Sequence, residues 1–241
     1  MKFNNRTAIV TGAAAGIGRA TAKLLGEHGV KLILLDRDKE KLEAVKLELS
    51  DTVGGDRIST VVCDVGSRES LDAAVEKIRS LTDKIDILVN NAGIWRDNCV
   101  PFVESTPESW ENRWRINVFG LMYLTKAVLP GMTARKYGRI INISSVAGIY
   151  GIVNMVDYSA TKGAVIAFTK ALAKVTAPDG VLVTSVSPGN IQDDHPDSGL
   201  SYLGRCGTSL ECAELICFLA SDNASFCAGQ DYRVDGCRKK M

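Results

Sequence analysis

Tyr158 and Lys162 stand four residues apart in the stretch Asp157-Tyr158-Ser159-Ala160-Thr161-Lys162-Gly163, which opens an apolar-periodic run from Tyr158 to Ala177. On a helix, residues at i and i+4 share one face, so a phenol and an ammonium would project together. A phenol has a reference pKa of about 10 and is a poor acid near neutral pH. A fixed neighbouring cation favours its phenolate and lowers that value. Such a pair can exchange a proton with a substrate. The plain alternative is an ordinary i,i+4 pair on a solvated helix. Three further stretches, at residues 11–18, 90–93 and 140–145, weigh against it.

The elements that must position this pair alternate regularly. Short β-branched or aliphatic runs occur at Thr7–Thr11, Leu32–Leu35, Ile58–Cys63, Ile85–Asn90, Ile140–Ile143, Val181–Val186 and Tyr232–Val234. Helical patterns fill the gaps, at about Ile17–His28, Asp38–Leu49, Ser67–Leu81, Pro107–Arg135, Tyr158–Thr176 and Ser209–Ala220. Strands alternating with helices predict an α/β fold: a doubly wound, seven-stranded parallel sheet with helices on both faces. Ligands in such folds bind beyond the carboxyl ends of the strands. Neither a linker nor a repeat interrupts the pattern, and 241 residues suit one domain, 1–241.

The first strand runs into Thr11-Gly12-Ala13-Ala14-Ala15-Gly16-Ile17-Gly18. A glycine-rich turn opening a helix lets bare backbone approach a pyrophosphate, and the helix N-terminus favours its charge. Eighteen residues beyond Gly18, Asp36 ends the second strand, where a carboxylate can accept the hydroxyls of an adenosine ribose. A ribose 2′-phosphate there would meet like charge, at a cost of a few kcal/mol for an effective dielectric of about 20. Arg37 follows and would offset part of that cost. The expected cofactor is therefore NAD, with NADP disfavoured. Asp64 and Asn90-Asn91-Ala92-Gly93 close the next two strands, where a nucleotide would lie.

Taken together, TGAAAGIG (11–18), Asp64, NNAG (90–93), Asn117, ISS (143–145), YSATK (158–162) and SPG (187–189) resemble the short-chain dehydrogenase/reductase family in order and spacing, over essentially the whole chain. The resemblance implies a single-domain Rossmann fold and hydride transfer between a nicotinamide dinucleotide and a carbonyl or hydroxyl carbon. It implies Tyr158 as general acid/base and Lys162 as the residue that lowers its pKa and holds the nicotinamide ribose. Ser145 would bind the reacting oxygen, and Asn117 would hold a water leading from Lys162 to solvent. Substrate would thus touch Ser145 and Tyr158. The cofactor would lie along Gly12, Ala15, Gly16, Ile17 and Gly18, then Asp36, Arg37, Asp64 and Val65. Its nicotinamide end would meet Asn91, Gly93, Tyr158, Lys162, Pro188, Gly189 and Ile191. Ser144 competes with Ser145, which is preferred for its thirteen-residue separation from Tyr158.

The chain departs from similar proteins after Gly189, where they carry a Thr that bonds the cofactor. Asp193 stands there, an anion that would weaken cofactor binding unless turned away. The substrate lid, at about residues 190–207, looks shortened. His195 and the acidic residues Asp193, Asp194 and Asp197 are expected to be a solvated loop. Cys237 replaces a usual glycine and is read as tolerated drift. Trp95, Trp110 and Trp114 are expected to flank the pocket, the last two more as packing or subunit contacts than as a substrate wall.

Composition removes other classes. Lys plus Arg number 29 against 28 Asp plus Glu, so no net field recommends nucleic acid or an acidic membrane, and the Arg238-Lys239-Lys240 cluster reads as a solvated tail. The seven cysteines (63, 99, 206, 212, 217, 227, 237) contain no C-x-x-C pair and only two histidines accompany them, so neither a metal site nor a disulfide framework is expected. They suit reduced thiols of a cytoplasmic protein, without a signal peptide or membrane span. The expected activity is NAD(H)-dependent oxidation or reduction of a secondary alcohol or ketone such as a hydroxysteroid or sugar alcohol, by a homotetramer or homodimer. The alternatives are an NADP-dependent 3-oxoacyl-carrier reductase or a dinucleotide-binding sensor of low turnover.

Overall fold

In the computed structural model of the chain, which describes residues 1–95, 100–194, 196 and 199–239, alternation along the first strand sets the two faces of the sheet. Within β1 (Thr7–Thr11), Ala8 and Val10 join one apolar cluster and Ile9 the other. The remaining strands are β2 (Lys31–Asp36), β3 (Ile58–Val62), β4 (Ile87–Asn90), β5 (Gly138–Ile143), β6 (Val181–Pro188) and β7 (Asp231–Val234). All pair in parallel, in the order β3-β2-β1-β4-β5-β6-β7. The order reverses between β1 and β4, which opens a crevice at the carboxyl ends of those strands.

Helices α1 (Gly16–Glu27), α2 (Lys39–Val53) and α8 (Ser209–Ala220) cover one face through Leu25, Leu42 and Ile216. Helices α3 (Arg68–Leu81), α5 (Gly120–Ala134) and α7 (Val156–Thr176) cover the other through Leu71, Leu124 and Ala173. Burying a Leu or Ile side chain in this way is worth roughly 1.5–3 kcal/mol. Three of the helix starts follow clear caps: Asp38, Ser67 and Thr208 accept from the amides of Lys41, Ser70 and Glu211 at 3.1–3.2 Å.

Two elements differ from expectation. The helix expected over Pro107–Arg135 is broken into α4 (Pro107–Trp114), a π-helical turn (Arg115–Phe119) and α5. Gly120 closes that turn against the loop after β3, where a Cβ would stand 2.4 Å from the Val65 carbonyl oxygen. A short helix, α6 (Ala147–Tyr150), follows β5 and was not anticipated, since one turn carries no periodicity. Its Gly148 lies on the α7 backbone, where a Cβ would meet the Lys162 carbonyl carbon at 2.5 Å. No helix among the described residues is long and apolar enough to cross a membrane.

Candidate active site

A cavity of about 650 Å³ occupies the crevice, bounded by Gly12 after β1, Asp36 at the end of β2, Ser145 after β5 and Pro188 at the end of β6. Its floor is a turn that requires glycine. Gly12 has φ of +64°, and a Cβ there would stand 2.8 Å from Asn91 Nδ2. The Asn91 side chain donates to the carbonyls of Thr11 and Gly12 at 2.9 and 3.2 Å, so it holds this turn in shape. The helix that follows, α1, has Ala15 at its N-cap and so carries no side-chain cap, nor any acidic residue in its first turn. The amides of that first turn therefore remain available to an anion, as a dinucleotide pyrophosphate requires.

Asp36 completes this half of the site. Its Oδ2 accepts the Ala14 amide at 3.0 Å and its Oδ1 the Asp38 amide at 3.1 Å. An ionised carboxylate offers about four lone-pair positions, so acceptors remain for ribose hydroxyls. Ala15, Gly16 and Ile17 line the cavity as expected. Gly18 does not line it: a Cβ there would lie 2.1 Å from the Gly12 carbonyl oxygen, so its glycine serves helix-to-turn packing. Arg37, Asp64 and Val65 border a second cavity of about 620 Å³, beside Arg115 and Phe119.

Tyr158, Lys162 and Ser145 meet in the other half. Tyr158 and Lys162 are 9% and 5% exposed. Burial raises the Tyr158 pKa, against which the Ser145 hydrogen bond and then the Arg113 charge act. The Ser145 Oγ accepts the Ala147 amide at 3.1 Å, which leaves its hydroxyl proton for the phenol oxygen or a substrate oxygen. The Ser144 hydroxyl instead donates to the Lys162 carbonyl at 2.8 Å.

Lys162 lines the same cavity as Tyr158 and Ser145. Its Nζ donates to the Ile143 carbonyl at 2.9 Å and lies 5.8 Å from the centroid of the Tyr158 ring. Burial lowers its pKa to about 8. Arg113, whose charge opposes the burial-driven rise of the Tyr158 pKa, was not singled out by the sequence; a charged residue between two tryptophans in α4 gives no signal of burial.

Asn117 lies behind Gly93, a residue of the cavity wall. It is 2% exposed in the π-helical turn and does not line the cavity. Its Nδ2 donates to the Ile94 carbonyl at 3.0 Å and to Thr161 Oγ1 at 3.2 Å, while its Oδ1 accepts the Ile94 amide at 2.9 Å. With both amide protons engaged, the side chain ties the loop after β4 to α7. Gly93 lies against it, where a Cβ would stand 3.1 Å from Asn117 Oδ1 and 3.4 Å from Lys162 Nζ.

Gly189 and Ile191 line the cavity as expected; a Cβ on Gly189 would meet the Asp235 Cα at 2.9 Å. Asp193 is directed at α8: it accepts the Ser209 amide at 2.7 Å and the Ser209 hydroxyl at 3.1 Å. The lid base is closed by a parallel bridge between Ile191 and Gly207, and the lid by backbone bonds from Tyr202 and Leu203 to Cys237 and Gly236. Cys237 itself has φ of +56°, a conformation that favours glycine, so it is a strained substitution and not a neutral one. Cys99, His195, Asp197 and Lys240 lie outside the described residues.

Of the three tryptophans, Trp95 lines the cavity. Trp110 stacks on Phe102 at 5.3 Å and Trp114 packs by Phe119 at 6.2 Å, both away from it. Among the described residues no cluster could hold a metal ion.

The family model described as short chain dehydrogenase matches residues 6–198. The chain belongs to the short-chain dehydrogenase/reductase family. It is 39% identical over 246 aligned residues to the 3-oxoacyl-[acyl-carrier-protein] reductase FabG of Aquifex aeolicus, covering 98% of each chain. The enzyme of that name from Escherichia coli is 36% identical, again over 98% of each chain. Among solved structures of the family, the L-sorbose reductase of Gluconobacter frateurii, complexed with NADPH and L-sorbose, superposes with a TM-score of 0.92 at 29% identity, covering 100% of this chain and 99% of the other. As a member, the protein is an oxidoreductase acting on CH–OH or carbonyl groups. The two carrier reductases favour the 3-oxoacyl alternative over the hydroxysteroid or sugar alcohol expected first, and the NADPH of the sorbose reductase complex speaks for NADP where NAD was expected.

Proposed function

We propose that the protein reversibly reduces the 3-oxo group of an acyl thioester to the 3-hydroxy group. What carries this is the convergence of Ser145, Tyr158 and Lys162 in one cavity with an uncapped helix N-terminus; the identity to 3-oxoacyl carrier reductases supports the substrate class.

A bound nicotinamide dinucleotide supplies the hydride. Gly12, Ala15 and Gly16 would take its pyrophosphate, and Asp36 its adenosine ribose. Tyr158, held protonated at neutral pH by its burial, donates its proton to the carbonyl oxygen that becomes the alcohol. Ser145 donates a hydrogen bond to that oxygen as charge develops. Lys162 stands one turn behind as the group that restores the proton, which a pKa of about 8 suits. Asn117 acts at one remove, by fixing the Ile94 loop against α7.

Asp36 supports NADH as the donor. The NADPH complex of L-sorbose reductase favours a second reading, NADPH with a sugar ketone. Initial rates with acetoacetyl-coenzyme A and with L-sorbose, each with NADH and NADPH, separate them. Faster reduction of the thioester with NADH is expected. Reduction of L-sorbose alone, or of neither, would overturn the proposal.

A further inference from the structure

Arg238 borders the large cavity, although the sequence reads Arg238-Lys239-Lys240 as a solvated tail. Gly236 and Cys237, with φ of +60° and +56°, turn the chain back after β7. Arg238 then forms an antiparallel bridge with Ser201 of the lid, and the Lys239 amide donates to the Leu200 carbonyl at 2.9 Å. Gly236 packs into the same contact, where a Cβ would stand 3.2 Å from the Ser201 Cβ. The backbone on both sides of Arg238 is thus fixed, which sets a cation at the rim of the cavity.

The topology tells which end of the cavity this is. Asp36 closes β2, Ser145 follows β5 and Arg238 follows β7, in the sheet order β3-β2-β1-β4-β5-β6-β7. Arg238 therefore lies across the reaction centre from the carboxylate that suits a ribose. Two strand spacings, about 10 Å, separate β5 from β7, and an arginine side chain covers much of that. Leu200 beside it, with Ile152 and Met155 ahead of Tyr158, supplies an apolar part of the wall.

The charged residues of that wall, among those described, are Asp36, Lys162 and Arg238. Carboxylates of the lid and of the segments beside it are engaged elsewhere. Asp193 accepts from Ser209, Glu211 pairs with Arg205 at 2.6 Å, and Asp235 accepts the Cys237 amide at 3.1 Å. Asp194 is exposed and outside the wall. Among the described residues, none forms an ion pair with Arg238. A guanidinium presents a planar fork that matches a carboxylate with two parallel hydrogen bonds.

We propose that Arg238 is a specificity-determining residue that receives a carboxylate carried by the substrate a few carbons beyond its keto group, so that the preferred substrate is the thioester of a 3-oxo dicarboxylic acid. The inference rests on the 3-oxoacyl thioester reading and names the acyl group. A carboxylate so placed falls within the span from Ser145 to Arg238. The phosphate of a pantetheine arm, at the far end of a long chain from the thioester, falls beyond it.

The test compares kcat/KM for 3-oxoadipyl-coenzyme A and acetoacetyl-coenzyme A in wild type and in Arg238→Met, with dinucleotide affinity titrated in parallel. Wild type should prefer the carboxylated thioester by about tenfold or more. Arg238→Met should lower that preference by about 10–100-fold, chiefly through KM, as a charge-assisted hydrogen bond is lost. Arg238→Lys, which keeps the charge without the fork, should show an intermediate preference. An unchanged preference in Arg238→Met overturns the inference, as does a loss confined to dinucleotide affinity. An equal loss on both coenzyme A thioesters, absent with acetoacetyl-N-acetylcysteamine, would assign the arginine to the phosphates of the arm and also overturn it. Should Arg238→Met not fold, wild type decides: turnover of acetoacetyl-coenzyme A without preference for the carboxylated thioester removes this inference alone. Turnover of neither removes the thioester reading beneath it.

Discussion

Asp193 closes its carboxylate on Ser209, taking the backbone amide at 2.7 Å and the hydroxyl at 3.1 Å in the first turn of α8. A carboxylate at a helix N-terminus is stabilised by the unpaired amides and the macrodipole. Its charge is therefore partly compensated, although Ser209 also borders the cavity. Asp193→Asn should keep one acceptor for the Ser209 amide while removing the charge. Binding of the dinucleotide should tighten by a few fold, and the protein should lose about 0.3–1 kcal/mol of stability. Tryptophan quenching titrations and urea unfolding measure the two effects.

Lys162 gives the pH dependence of stability its sign. Its folded pKa, about 8, lies below the ordinary lysine value of 10.5. Between those values the unfolded chain binds more protons than the folded one, so stability rises as pH increases from about 8 to about 10.5. Below pH 8 the buried charge costs up to about 3 kcal/mol. Urea unfolding of Lys162→Met from pH 7 to 11 should show higher stability than wild type at pH 7 and a difference that shrinks as pH rises. A constant difference would contradict this account.

Gly18 and Gly12 approach so closely that a single methyl separates a working turn from a distorted one. Gly18→Ala would place its Cβ 2.1 Å from the Gly12 carbonyl oxygen and 2.6 Å from Asn91 Nδ2. A loss of about 1–3 kcal/mol is expected, together with weaker dinucleotide binding, because the turn that must shift is the floor of the cavity. Thermal unfolding and cofactor titration report both.

Cys237 holds φ of +56° between Asp235, which accepts its amide at 3.1 Å, and the lid, where Tyr202 donates to its carbonyl. Relieving a left-handed conformation gains about 1–2 kcal/mol, and the greater freedom of glycine in the unfolded chain returns about 0.4–1 of it. Cys237→Gly should therefore be stabilising by up to about 1.6 kcal/mol, read as a higher denaturant midpoint.

Much of this was legible in the sequence. The β-branched runs and their spacing gave seven strands, since a parallel sheet buried on both faces needs apolar residues at consecutive positions. The Ser145, Tyr158 and Lys162 cluster followed from motif spacing because strand ends and one helix face fix those positions. The interruption at Arg115–Phe119 was not legible, since an inserted backbone residue leaves the apolar pattern nearly unchanged. With it went the true partners of Asn117, which lie across the fold at Ile94 and Thr161. Likewise, i,i+4 spacing placed Lys162 beside Tyr158, but the direction of Nζ is set by the Ile143 carbonyl on another element. The ion pair of Arg113 and Asp157 joins residues 44 apart in the chain, a distance over which no local pattern reaches.

Reduction of the carbonyl turns on a proton delivered by Tyr158. The most direct test is Tyr158→Phe, assayed for reduction of acetoacetyl-coenzyme A, with dinucleotide binding measured in parallel. The phenyl ring keeps the packing and removes the hydroxyl. Turnover should fall by about 10²–10⁴-fold while cofactor affinity holds. Turnover within about tenfold of wild type, with the same affinity, would contradict the assignment of Tyr158 as the acid.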